Sequence, residues 1–253
     1  MKNEKEGATD MPRIYLPLKN RENHAITITG EKAHYLISVL RCRKGDEIII
    51  FDGSGHCSRA RIAGIERKTV LAEVSGRFPC GNESGVRITL VLGLLKGEKM
   101  DMVIQKATEL GVYEVIPVVT ERSQIRETRK LARWRKIAEE ASRQSGRSIV
   151  PEVCETVQFI DLFKGRGARV QGQGFLFHEG EGAKLSEAVA SLSRRPSSLF
   201  IMVGPEGGFT REEVTLAQAQ GATLVTLGKR ILRAETAALA ALSIVQFQFG
   251  GMD

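Results

Sequence analysis

The sequence predicts an α/β protein in two parts, a small β-barrel over residues 11–77 and a largely parallel α/β domain over residues 86–253. Three observations carry this. Residues 13–77 hold five short apolar runs (IYLPL, AITIT, DEIIIFD, SRARIAGI and TVLAEV) separated by Gly, Asn, Asp or Ser, the spacing of short strands. Residues 78–85, FPCGNESG, have the Gly/Pro/Ser content of a linker. Beyond it, strand-like runs alternate with helical ones, which indicates a parallel sheet covered on both faces.

In chain order, residues 1–10 (MKNEKEGATD) are polar and read as a disordered tail. One helical stretch, Glu31 to Leu40, interrupts the barrel strands. It runs into LRCRKGDEI, where Arg41, Arg43 and Lys44 stand together, either as an exposed turn before a strand or as a docking point for RNA. In the second part, ITLVLGLL (88–95) reads as a buried strand. Lys99 to Leu110 then sets Met100, Val103, Ile104, Ala107 and Leu110 on one helical face, with Gly111 placed as a left-handed stop. VYEVIPVV is the next strand, followed by a basic helix near 129–144. Further strands are expected near 174–178 and 199–203, and helices near 184–192 and 211–220.

The stretch over residues 201–250 organises the rest. An apolar strand breaks into Gly204, Pro205, Glu206, Gly207 and Gly208, whose glycines let backbone groups approach a ligand and whose proline stiffens the loop. Thr210 and Glu213 have capping-box spacing and start a helix directly behind it. A second strand, Thr223 to Leu227, ends at Gly228 and the basic, apolar turn KRILR. The helix AETAALAALSIVQFQ then closes the chain. Two strand ends thus deliver two glycine-containing loops, and open α/β sheets bind ligands at such ends. The chain has neither a phosphate-loop GxxxxGK nor a GxGxxG motif. Alone, GPEGG is equally compatible with a tight connection. The charged Arg233 and Glu235 at the mouth of an alanine-rich helix favour a site.

Composition narrows the function. The formal net charge of +7 and pI of about 9.4 favour a polyanionic partner. Nine Lys or Arg against three Glu fall between Arg122 and Arg147, either a solvated helix face or an RNA contact, and the RNA reading is preferred. The apolar runs are far shorter than the roughly 20 residues of a membrane-spanning helix. With no secretion signal in view, the cytoplasm is expected. The cysteines at 42, 57, 80 and 154 lack CxxC spacing and read as free thiols, and the four scattered histidines suggest no metal site.

GPEGGFT (204–210) and LGKRILRAETAALAAL (227–242) resemble the carboxyl-terminal signatures of the RsmE family of ribosomal RNA methyltransferases, within the SPOUT superfamily. KGEKMDMVIQKATELGV (96–112), VIPVVTERS (115–123), AEEASRQSGRSIVPEV (138–153) and HYLISVLRCRKGDEI (34–48) extend the match in order over most of the chain, which becomes family-like at Met11 and Arg13. The resemblance implies a PUA-like barrel that docks RNA, a SPOUT domain tied in a trefoil knot, and a homodimer. It also implies S-adenosylmethionine as cofactor and methylation of a uridine N3 in 16S ribosomal RNA of the small subunit. By the same resemblance, Gly204, Glu206, Gly207, Gly208, Leu227, Gly228, Ile231, Leu232 and Arg233 hold the cofactor, with Phe177, His178 and Glu179 as a third wall. Arg233, Glu235 and Arg122 are the candidate catalytic residues. Arg41, Arg43, Lys44, Arg122, Gln144 and Arg147 are the candidate RNA contacts. Arg233 and Glu235 are also compatible with a structural ion pair at a helix start, Lys99, Lys106 and Glu109 with a solvated edge, and His178 with a hydrogen-bonding role. Two other functions fit the class: a SPOUT enzyme acting on a ribose 2′-hydroxyl or transfer RNA, and a non-catalytic RNA-binding or ribosome-assembly protein.

Overall fold

The computed structural model describes residues 11–17, 25–80, 82–164, 170, 172–180, 182–192 and 196–249. The tail expected at residues 1–10 lies outside them. The chain divides into two units, residues 1–83 with 142–150, and residues 84–141 with 151–253.

The first unit is a five-stranded sheet built from β1 (Arg13–Tyr15), β2 (Ala25–Ile28), β3 (Glu47–Phe51), β4 (His56–Glu66) and β5 (Thr69–Pro79), in the order β1-β3-β4-β5-β2. β1 pairs parallel to β3 and the other pairs are antiparallel. Two register shifts between β4 and β5, at Arg59/Ala60 and Ile62/Gly64, bend the long hairpin so that its apolar face can wrap a core of Ile14, Ile28, Ile48, Ile50, Ile62 and Val70. β5 runs through Phe78 and Pro79, into the stretch expected to be linker. The helix expected at Glu31–Leu40 is a short α1 (Gly30–His34) continued by one π-helical turn, Tyr35–Val39, whose Leu36 enters that core.

Two features of this unit were not anticipated. Cys57 and Cys80 form a disulfide across the end of the β4–β5 hairpin, their Cα atoms 5.9 Å apart, which corrects the reading of four free thiols; Cys42 and Cys154 are free and buried. Antiparallel strands bring residues 23 apart in sequence side by side, a pairing that spacing motifs do not report. The second is residues 142–150, which belong to the first unit although the sequence reading assigned them to the second domain. Glu83 holds them there: its carboxylate accepts from Arg147 Nη2 and Nε at 2.8 and 3.1 Å and from the backbone N–H groups of Ser148 and Ile149 at 2.8 and 2.9 Å. Arg13 adds hydrogen bonds to the Gly146 and Arg147 carbonyls, and Val150 packs toward Ile49 and Phe51.

The second unit is an eight-stranded parallel sheet. β6 (Arg87–Gly93), β7 (Glu114–Val119), β10 (Gly174–Phe177), β12 (Ser198–Val203) and β13 (Ala222–Thr226) form its body. The short β8 (Glu152–Val153), β9 (Val157–Gln158) and β11 (Ala183–Lys184) lie at its edges. The order is β11-β13-β10-β12-β6-β7-β8, with β9 also on β7. These strands are near-continuous apolar runs because both faces are covered. The helices are α2 (Lys99–Glu109), α3 (Leu131–Gln144), α4 (Leu185–Ala190), α5 (Arg211–Ala219) and α6 (Ala234–Phe249). α5 lies against β13, whereas α6 turns back to pack on α2, β12 and β6.

The seam between α2 and α6 explains a glycine. Gly111 ends α2 at φ +85°, its carbonyl accepts a 2.9 Å hydrogen bond from Gln246 Nε2 of α6, and an added Cβ would sit 2.8 Å from that nitrogen. Alanine there adopts a left-handed conformation and also pushes on a fully buried amide. Gly111→Ala is expected to lower stability by about 2 kcal/mol, read from urea unfolding midpoints; an unchanged midpoint would show that α6 does not depend on this contact.

Candidate active site

Because the sheet is parallel, the loops following β6, β7, β10, β12 and β13 all emerge on one edge, and the candidate residues of the second unit gather there. The first glycine loop is held from four sides. Phe209 is buried and meets the Phe159 ring at 5.1 Å. Thr210 and Glu213 form the expected capping box: Thr210 N–H donates to Glu213 Oε2 at 2.9 Å, and Glu213 N–H to Thr210 Oγ1 at 3.2 Å. The other Glu213 oxygen accepts from the Glu121 N–H at 2.9 Å, which docks the end of β7 onto the same helix start. This carries Arg122 to the loop, where its Nη1 donates to the Gly207 carbonyl at 3.3 Å. A Cβ on Gly207 would lie 2.9 Å from Arg122 Cβ and 3.0 Å from its carbonyl oxygen, so this glycine is required by close approach.

Glu206 supplies the fourth attachment. Its Oε1 accepts from the Lys96 N–H at 3.3 Å and from Lys99 Nζ at 3.2 Å, and Lys99 Nζ lies 3.5 Å from Oε2 of the buried Glu235 in the first turn of α6. The loops after β6 and β12 and the helix after the second glycine loop therefore meet at one ammonium. Partial burial raises the affinity of the Glu206 carboxyl for its proton. The N–H groups of Glu206 and Lys96 together with Lys99 outweigh it and hold the group below its usual range.

The second glycine loop is more open. Thr226 Oγ1 accepts from the Gly228 N–H at 3.2 Å and donates to the Gly228 carbonyl at 3.1 Å, closing a turn in which Gly228 has φ +94°. Leu227 and Leu232 are half-buried, whereas Lys229, Arg230, Ile231 and Arg233 are exposed. Arg233 has no side-chain partner among the described residues, so it forms no ion pair with Glu235. The third wall comes from β10: Phe177 is buried, Glu179 is exposed, and His178 donates its backbone N–H to the Val225 carbonyl at 3.0 Å. One buried polar atom on these elements, His178 Nδ1, has no hydrogen-bond partner among the described residues, whereas Glu235 Oε2 has the Lys99 ammonium at 3.5 Å and no other partner there. A buried polar atom is costly to leave unsatisfied, and its presence beside backbone loops and apolar side chains fits a ligand carrying both hydrogen-bonding and apolar groups.

Lys96, which pattern reading passed over, and Lys99, which it left compatible with a solvated edge, are participants in the site, and the Glu213 contact to Glu121 adds to the capping role expected of that residue. One signal for Lys99 was present: it opens the first turn of α2, where the helix dipole disfavours a cation, so a carboxylate partner was to be expected.

In the first unit, Arg41, Arg43 and Lys44 are exposed in the turn after the π-helical segment, with Arg41 at φ +55° and the Arg43 N–H bonded to Asp46 Oδ2 at 2.7 Å. Gln144 is exposed. Arg147 is not: its side chain is only 5% exposed and is engaged by Glu83, which corrects its reading as an RNA contact. The preferred reading of the wider basic run changes too. Lys130 donates to the Gly97 carbonyl, Arg133 to Asp101, Arg135 to the Val153 carbonyl and Arg126 to the Glu121 carbonyl, while Arg143 stacks 3.9 Å over the Tyr35 ring. Much of this charge fastens elements within each unit.

Comparison with known proteins agrees with this arrangement. Residues 82–246 match a family model described as an RNA methyltransferase domain, and residues 28–75 one described as an RNA methyltransferase PUA domain. The chain is 34% identical over 249 residues to ribosomal RNA small subunit methyltransferase E of Bacillus subtilis, covering 94% of this chain and 97% of that one. It is 36% identical over 221 residues to the protein of the same name from Synechocystis, covering 86% and 71%. A crystal structure of ribosomal RNA small subunit methyltransferase E from Neisseria gonorrhoeae bound to S-adenosyl methionine superposes with a TM-score of 0.85 at 34% identity, covering 96% of this chain and all of that one.

The depressed Glu206 carboxyl has a consequence for folding. A group whose pKa is lowered on folding adds stability above its unfolded pKa, about 4.3 for glutamate, and that stability is lost as pH falls through the folded value. Glu206→Gln is expected to remove this component. The difference between urea midpoints at about pH 7 and about pH 3, either side of that value, should shrink relative to wild type; an identical difference would mean that the attachment carries no pH-dependent stability.

Proposed function

The chain belongs to the RNA methyltransferase family typified by ribosomal RNA small subunit methyltransferase E, and on that premise we propose that it transfers a methyl group from S-adenosylmethionine to N3 of a uridine in 16S ribosomal RNA. The observation that carries this reading is the meeting of both glycine loops, Arg122, Glu206 and Glu235 on one sheet edge, in a chain that matches the methyltransferase family over both units.

S-adenosylmethionine supplies an electrophilic methyl group. Glu206, Gly207 and Gly208 offer backbone groups from a loop held rigid before any ligand arrives, and Leu227, Ile231 and Leu232 offer apolar cover. His178 Nδ1 offers a polar atom with no hydrogen-bond partner among the described residues. On the RNA side, N3 becomes nucleophilic only when its proton leaves, and the ring then carries negative charge. Arg233, exposed and permanently charged, is the residue we assign to stabilise that charge, and Arg122 is a second cation beside the first loop. Glu235, two residues from Arg233 and paired through Oε2 with Lys99, is the carboxylate we assign the uridine N3 proton, directly or through one water. Arg41, Arg43, Lys44 and Gln144 provide exposed polar groups for the RNA. No helix among the described residues is long and apolar enough to cross a membrane.

The same reading includes a homodimer and the trefoil crossing. Phe247 and Ile244 on α6 are 72% and 44% exposed, an apolar stripe that pairing of two copies would cover. The return of α6 from the β13 side to β12 and β6 is the path that a carboxyl-terminal knot requires.

Two experiments test this. Wild-type protein given labelled S-adenosylmethionine and small ribosomal subunits from cells lacking it should yield 3-methyluridine on nucleoside analysis, and Arg233→Ala should lower the rate about 10²-fold. Cofactor binding without 3-methyluridine would refute the target assignment, and label in a 2′-O-methyl nucleoside would move it to ribose. Separately, Phe247→Asp should weaken self-association by about 2 kcal/mol, roughly 30-fold in Kd, in light scattering across a dilution series; unchanged dissociation would remove α6 from the interface.

A further inference from the structure

Among the described residues, the Lys99 side chain pairs with two carboxylates, Glu206 and Glu235. Its ammonium is half-buried, 3.2 Å from Glu206 in the first glycine loop and 3.5 Å from Glu235 behind the second. These partners stand 107 and 136 residues away in sequence, on segments that follow different strands. The loop that carries Lys99 is itself fastened, by the Lys96 N–H to Glu206 and by Lys130 Nζ to the Gly97 carbonyl. A cation on a fixed stem between two carboxylates sets the spacing of the two elements that bear them.

We propose that Lys99 is a positioning residue for methyl transfer: it fixes the distance between the cofactor loop at Glu206 and the helix start that presents Arg233 and Glu235. This rests on the methyltransferase reading above. In-line transfer between two substrates needs both held in register, and a displacement of about 1 Å is enough to cost roughly 10²-fold in rate. Without Lys99, Glu206 and Glu235 face each other as like charges with no cation between them, and the two elements separate. The ammonium contributes chiefly to alignment and little to stability, because a half-exposed ion pair is worth at most about 1 kcal/mol.

The test compares Lys99→Met, Lys99→Gln and Lys99→Arg with wild type on undermodified small subunits, measuring kcat, KM for both substrates, cofactor Kd by calorimetry, and Tm. Lys99→Met and Lys99→Gln are expected to lower kcat about 10²-fold and weaken cofactor binding several-fold, with KM for the subunit and Tm nearly unchanged. Lys99→Arg, which restores a cation, should recover most of the rate. Wild-type rates and cofactor Kd in both neutral variants would overturn the proposal. So would rate loss that tracks a falling Tm and is not rescued by arginine, since that pattern marks a merely structural residue. Should wild type transfer no methyl group to the subunit, the target assignment fails, and the cofactor Kd series still decides the role of Lys99.

Discussion

One ammonium, that of Lys99, joins three segments of the second unit that the sheet alone leaves independent. A parallel sheet delivers its loops to one edge but does not fix how far apart they stand. That spacing is set by what crosses between them. Lys99 does so at a rim where water still reaches the group, and there an ion pair is weak as a source of stability. Its influence is nonetheless large in geometry, because two carboxylates held near one another without a cation repel. The magnitudes therefore separate two roles often merged: the apolar core of Phe159, Phe209, Met202 and their neighbours supplies the stability, and a modest charge cluster supplies the alignment.

The distribution of positive charge follows a similar logic. A net charge of +7 suggests a nucleic-acid partner, yet the densest basic stretch is largely engaged in internal contacts. Arg147 is the clearest case. A buried guanidinium bonded through two of its nitrogens to the Glu83 carboxylate is released to a phosphate only by breaking that ion pair, and removing one partner of such a pair is costly. Arginines that remain in water, such as Arg41, Arg43 and Arg233, face no such barrier.

What could be read from the sequence was whatever leaves a local mark. Strands buried on both faces appear as apolar runs, so β6, β7, β12 and β13 were placed to within a residue or two. The Thr210/Glu213 capping box and the stop at Gly111 depend on neighbours three or so residues away and were equally visible. The contacts that shape the site are of another kind. Glu83 with Arg147, Lys99 with Glu206 and Cys57 with Cys80 join residues 64, 107 and 23 positions apart, and no period records them. The edge strands β8, β9 and β11 are two residues long, too short for any alternation to show. A basic run, lastly, has the same composition whether it faces solvent, RNA or carboxylates of its own fold. Burial decides among these, and burial is a tertiary property.

The two glycine loops differ in a way that bears on how ligand affinity arises. The first is fixed by Phe209, by the capping box, by Arg122 on Gly207 and by Lys99 on Glu206, so its backbone groups stand ready before binding and lose little further freedom. Among the described residues the second is tied near its ends, by the Thr226–Gly228 turn and by the Lys99–Glu235 pair, and between them Ile231 stands 78% exposed. An isoleucine in water is a reserve of binding energy, since full burial of its side chain is worth about 1.5–3 kcal/mol. A ligand seated against the rigid loop and covered by Ile231 gains orientation from one loop and affinity from the other. Under the proposed function, loosening the first loop removes pre-organisation, and truncating Ile231 removes apolar cover.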